Sequence, residues 1–131
     1  MGARLEHHVD VRWRDVDALG HVNHAVFLTY LEEGRDAFFV ETLRSDPEYV
    51  VVRIEIDLRA EVRLSDRRVT VCVAVESLGT TSITTRETIF LPSGEVAAEA
   101  RVVTVRWNAE ERKPAPLTEA ERERLNAAIT R

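Results

Sequence analysis

Cysteine is almost absent from this chain, and so is lysine. Cys72 stands alone among 131 residues, which excludes an internal disulfide and any multi-cysteine metal site. It falls in VTVCVAV, an alternating strand pattern, where a buried and inert thiol is expected. Lys113 is the single lysine, and 18 basic residues face 23 acidic ones for a net charge of −5. With no basic excess to neutralise phosphates, nucleic-acid binding is not expected. No apolar run approaches membrane-spanning length, and the start MGARLEHHVDVRW lacks the apolar core of a signal peptide. A soluble protein of a reducing cytoplasm, without membrane association, is therefore the expectation. The five glycines are scattered singly, leaving no phosphate-cradling loop. No G-x-S-x-G elbow appears, and Ser45, Ser65, Ser77, Ser82 and Ser93 sit in ordinary strand or turn contexts.

What is present is globular. Hydrophobic residues make up 44% and charged ones 31%, ordinary values for one folded domain over residues 1–131. Leu5, Val9, Val11 and Trp13 share one parity and predict a half-buried antiparallel strand. From about His24 to Thr42, Phe27, Tyr30, Leu31, Gly34 and Phe38 mark one helical stripe. Neighbouring apolar residues widen the stripe until only Glu32, Glu33, Arg35 and Asp36 mark a solvated side, so the helix should be enclosed. Gly34 within it costs roughly 1 kcal/mol against alanine, tolerable if the backbone packs closely on a sheet.

After a turn at Ser45-Asp46-Pro47 the body reads as strands. Val52 to Leu58 and Val69 to Val75 alternate cleanly, SITTRETIF follows, and Pro92-Ser93-Gly94 turns the chain into EVAAEARVVTVRW. The small residues Ala97, Ala98 and Ala100 predict close packing against something bulky. Glu110 to Pro116 reads as loop. Thr118 with Glu121 forms a capping box opening a short terminal helix, whose thin apolar face predicts a surface decoration. The fold class is α+β: mostly antiparallel strands enclosing one long helix. Such a wrap leaves a sheet edge uncovered, so at least a homodimer is expected.

The densest polar stretch lies directly before the long helix. Asp15, Asp17, Gly20, His21, Asn23 and His24 fall within ten residues. Aspartate and asparagine there can be caps and turn formers and nothing more. The stretch is more polar than one cap requires, however, and a helix start presents unpaired N–H groups and a positive dipole end. That end can hold a carbonyl oxygen as it gains charge, while a nearby carboxylate attacks or activates water. A second reading makes Asp17, His21 and His24 a zinc set, although their spacing matches no familiar metal pattern.

At these residues the chain resembles the hot-dog-fold acyl-CoA thioesterases of the 4-hydroxybenzoyl-CoA thioesterase type. The family motif runs aromatic-x-D-x-D-x-x-G-H-V-N-N-x-x-Y-x-x-Y-x-E-x-x-R, against WRDVDALGHVNHAVFLTYLEEGR here. DLRAEVRLSD, LGTTSITTRETIF and RVVTVRWNAEERKPAPL extend the likeness over nearly the whole chain. The resemblance implies a hot-dog fold, an antiparallel sheet wrapped around a central helix with a short C-terminal helix, and hydrolysis of an acyl-CoA thioester without metal or organic cofactor. It implies Asp17 as the catalytic carboxylate, nucleophile or general base. The N–H groups around His24 and Ala25 would polarise the carbonyl, and Gly20, His21, Val22 and Asn23 would shape the loop. Tyr30 would line the acyl pocket or the core. A site built between protomers is also implied, in a dimer or a dimer of dimers.

The chain departs from the motif at His24, which replaces the second asparagine, and at Phe27, which replaces the first tyrosine. Ala60 and Ser65 stand where the family has proline and glycine. Arg53, Arg86, Arg101 and Arg106 are candidate partners for the coenzyme A phosphates by supply alone. Two other readings stand beside this one: hydrolysis of an acyl-carrier-protein thioester, and a non-catalytic acyl-CoA binding module, against which the presence of Asp17 argues.

Overall fold

The computed structural model describes residues 5–45 and 48–129. Of the turn expected at Ser45-Asp46-Pro47, Asp46 and Pro47 lie outside the described residues. The elements are β1 (Leu5–Asp10), α1 (His24–Leu43), β2 (Tyr49–Leu58), β3 (Arg68–Leu78), β4 (Ser82–Phe90), β5 (Val96–Asn108), β6 (Lys113–Pro114) and α2 (Glu119–Ala127). The main sheet runs β1-β3-β4-β5-β2, every neighbouring pair antiparallel, with β6 attached to β5. Valines 69, 71, 73 and 75 of β3 are buried, and the intervening Thr70, Ala74 and Glu76 are less covered, as period-2 alternation requires.

The helix α1 packs chiefly on β1, β3 and β4. Tyr30, Leu31, Phe38 and Phe39 are fully enclosed, each contributing roughly 1.5–3 kcal/mol relative to exposure. Gly34 is where helix and sheet meet most closely. A Cβ there would come within 2.8 Å of Val71 Cβ and overlap its Cγ1, so the helix-weakening glycine is what permits the approach. The helix ends at Arg44, which takes a left-handed conformation with φ 58° and returns its N–H to Val40 O. A sheet curled round one long helix, with a short C-terminal helix, is the hot-dog arrangement.

Several expectations need correction. Trp13 does not continue the buried parity of β1. The strand ends at Asp10, a 3-10 turn spans Trp13–Asp15, and the indole swings out to 82% exposure. Arg35 is not on the solvated side of α1 but is 4% exposed and paired with the buried Glu87 of β4. The short helix α2 is integrated rather than decorative: Leu125 and Ala128 join the core, and Arg124 Nη1 donates to Leu43 O at the end of α1. Within the loop expected from Glu110 to Pro116, Arg112 turns back with φ 54° and Lys113–Pro114 pair with β5. Ala97, Ala98 and Ala100 are buried in the core cluster as expected. The apolar parity of β2 is only partly covered, because a bulge at Val51/Arg53 and the free edge leave Val52 and Leu58 exposed. Among the described residues, no helix is long and apolar enough to cross a membrane.

Candidate active site

The polar stretch folds into a very small hairpin. Asp15 O accepts from Asn23 N at 3.0 Å, Val16 pairs with Val22, and Asp17 N donates to His21 O at 3.0 Å. The tip closes when Gly20 N donates to Asp17 O at 3.1 Å, with Gly20 at φ +88°. That conformation strongly favours glycine, which explains the residue. Val22 N donates to Val62 O at 2.7 Å and ties the hairpin to the segment after β2. Asn23 then caps α1, its side chain accepting from Ala25 N at 3.0 Å.

The two aspartates of the motif have opposite surroundings. Asp15 is 2% exposed. Its Oδ2 accepts from Arg12 N at 2.9 Å and from the Tyr30 hydroxyl at 2.8 Å, while Oδ1 accepts from Arg12 Nε and Nη2. Burial alone would raise the Asp15 carboxyl, but the Arg12 backbone N–H, the Arg12 guanidinium and Tyr30 outweigh it. The group is held below its ordinary range. Burial and the bond to Asp15 push the Tyr30 hydroxyl up. Asp17 is partly exposed; its Oδ1 accepts from Leu19 N at 2.9 Å and lies 3.7 Å from His21 Nδ1. Its Oδ2 makes no hydrogen bond among the described residues.

Asp17 faces an open cleft of about 430 Å³, bounded by Leu19, His21, Val22, His24 and Phe27 on one side. Leu58, Arg59, Ala60 and Glu61 form the other. Sequence-expected residues Asp17, His21, Val22 and His24 are thus gathered here, with Gly20 shaping the turn and Asn23 the cap. The Ala25 N–H is committed to Asn23, whereas the His24 N–H makes no hydrogen bond within the described chain. Tyr30 lies outside the cleft, in the core at 1% exposure, where it is bonded to Asp15. Among the described residues, no group of three or more His, Cys, Asp or Glu is placed to hold a metal ion, so His24 does not join His21 and Asp17 as a zinc set.

None of the candidate arginines Arg53, Arg86, Arg101 and Arg106 borders this cleft. Arg53 pairs with Glu55, Arg86 and Arg101 with Glu76, and Arg106 with Glu121. The arginine on the cleft is Arg59, bonded to Glu99 at 2.6 Å. Its position directly after β2, in the segment facing the hairpin, was the signal that could have found it.

The sequence pattern of the thioesterase-like superfamily matches residues 11–125. The chain belongs to that superfamily. A thioesterase from Thermus thermophilus, solved in complex with coenzyme A and Zn, is 40% identical over 92% of this chain and 95% of its own, with a TM-score of 0.81. A predicted thioesterase from Bacillus stearothermophilus covers 98% of both chains at 27% identity and a TM-score of 0.88. A probable thioesterase from Escherichia coli is 29% identical over 95% of this chain and 98% of its own, with a TM-score of 0.74. No curated protein sequence matches. Membership of the superfamily agrees with the open cleft and its partly exposed carboxylate.

Proposed function

We propose that this member of the superfamily hydrolyses an acyl-CoA thioester, acting as a single hot-dog domain with Asp17 as its catalytic carboxylate. The observation that carries the reading is that Asp17, with one carboxylate oxygen unbonded among the described residues, and His24, the first residue of α1 and one whose N–H is unbonded there, both border one apolar-walled cleft. Asp15 is unsuited to the role, since its carboxylate is enclosed and already accepts four hydrogen bonds. The neighbouring relative solved with coenzyme A supports the choice of substrate class.

In this mechanism the thioester carbonyl oxygen lies against the His24 N–H and the positive end of α1, which stabilise it as negative charge develops. Asp17 either takes a proton from water as that water adds to the carbonyl carbon, or adds to the carbon itself. In the first route the carbon–sulfur bond then breaks and the thiolate takes up the proton held by Asp17 as the acid is released. In the second the thiolate leaves an anhydride on Asp17, which a water hydrolyses, one of its protons going to the thiolate, to release the acid and restore the carboxylate. Val22, Phe27 and Leu58 offer apolar surface to the acyl group, and Phe27 lacks the hydroxyl that the family's tyrosine would present. Arg59 is the cation nearest to hand for the phosphates of the carrier. The free edge of β2, with Val51, Val52 and Leu58 exposed, favours a homodimer. Leu58 belongs to both that edge and the cleft, so a partner copy would border the site. A reducing cytoplasm suits the lone Cys72.

The test is thiol release from a panel of acyl-CoAs by wild type and Asp17→Asn. Removing the carboxylate should cut turnover by at least about a hundredfold. Equal turnover in both proteins would overturn the role of Asp17, and tight acyl-CoA binding without any hydrolysis would favour a binding module.

A further inference from the structure

Asp17 has no direct bond to α1. Among the described residues, its side chain is held only by Leu19 N and lies beside His21, both within its own turn. The N–H group that would meet the substrate belongs to α1. The distance between them is therefore set by whatever joins the hairpin to the helix.

Asp15 makes that junction on two sides at once. Its carbonyl accepts from Asn23 N, the cap residue of α1, and its carboxylate accepts from the hydroxyl of Tyr30, further along the same helix. On the third side, Arg12 supplies a backbone N–H and two guanidinium N–H groups from the chain entering the turn. The other tie, Val22 N to Val62 O, leads to the segment after β2 and not to α1. We infer that Asp15 is a positioning residue, a brace that sets Asp17 against the start of α1 through its bonds to Tyr30 and Arg12. This inference rests on the reading of Asp17 as the catalytic carboxylate.

The physical basis is the steep dependence of such reactions on placement, where a shift of about 1 Å can cost on the order of a hundredfold. A neutral cap would satisfy the helix start equally well. Enclosing a charged group with four donors does more, because every donor direction fixes the hairpin in space.

Tyr30→Phe removes the helix-side bond while keeping the ring in the core. Arg12→Gln removes the guanidinium from a half-exposed position outside the hydrophobic core. In folded Tyr30→Phe, kcat should fall at least about tenfold with KM within about twofold of wild type. Arg12→Gln should fall in the same direction by at least about threefold. In an Asp17→Asn background neither change should lower the residual rate further, because a brace acts only through what it holds. Wild-type kcat in both folded variants, with Asp17→Asn inactive, overturns the brace and leaves the Asp17 reading standing. Full additivity with Asp17→Asn overturns it as well. If Tyr30→Phe does not fold, Arg12→Gln decides alone. Wild-type turnover in Asp17→Asn itself defeats the Asp17 reading, and the brace with it.

Discussion

Two buried acids reach the central helix, and the helix answers them differently. Asp15 meets the hydroxyl of Tyr30, with the half-exposed Arg12 closing round its other side. Glu87, at 0% exposure, meets Arg35 Nη1 at 2.9 Å and Thr85 Oγ1 at 2.6 Å with no opening to solvent. Burial pushes the Glu87 carboxyl up, with Arg35 and Thr85 opposing it. At Asp15 a shallower burial is overcome, and the carboxyl is held low. Two things differ: Asp15 lies much closer to the surface than Glu87, and it has four donors, including one backbone N–H, whereas Glu87 has a single cation and a single hydroxyl. One acid is secured by redundancy. The other depends on its partner.

Breaking that dependence should give the largest effect. Arg35→Met leaves Glu87 enclosed without its cation and should cost about 3–5 kcal/mol in urea unfolding. Adding Glu87→Met should restore most of the loss, since an apolar replacement for a buried pair is often neutral or stabilising. A single-mutant cost below about 1 kcal/mol would make the pair no different from an exposed one. Next comes Asp15→Asn, expected to lose about 1–3 kcal/mol at neutral pH. Because the folded carboxyl lies below its unfolded value of about 3.9, Asp15 stabilises above that value. The contribution is lost as pH falls through the lower folded value. The gap between wild type and Asp15→Asn should therefore close on acidification, as urea midpoints across the acid range would show. Glu87 works in the opposite sense, its contribution declining as pH rises through its raised value. The smallest effect belongs to Glu76, which accepts from Arg86 and Arg101 at 2.7 Å each on the open sheet face. Glu76→Gln should change stability by under about 1 kcal/mol, and high salt should erase the change.

The same contrast explains what could be read from the sequence. Periodicity gave α1 to within a residue at its end, and it gave the succession of strands along the chain, because apolar spacing records which side is covered. Gly34 announced the close approach that Val71 occupies, and Thr118 with Glu121 announced α2. The turn that carries Asp17 was legible through Gly20 and the motif. Arg35 was not, since a lone charge in a helical stripe looks solvated until Glu87, 52 residues away, is brought to it. Trp13 misled for a similar reason: alternation cannot foresee the 3-10 turn that ends the strand. Asp15 read as an ordinary turn former because its partners Arg12 and Tyr30 meet only when hairpin and helix are folded together.

The hairpin between Asp15 and Asn23 has one more consequence. Its anchors are backbone bonds and Asp15, and its tip is Ala18 and Leu19, both exposed, with the Leu19 side chain reaching the cleft. Side-chain changes at those two positions that keep the Leu19 N–H leave these anchors intact. Such changes at the tip would therefore reshape the rim of this cleft while leaving the backbone frame of the hairpin in place.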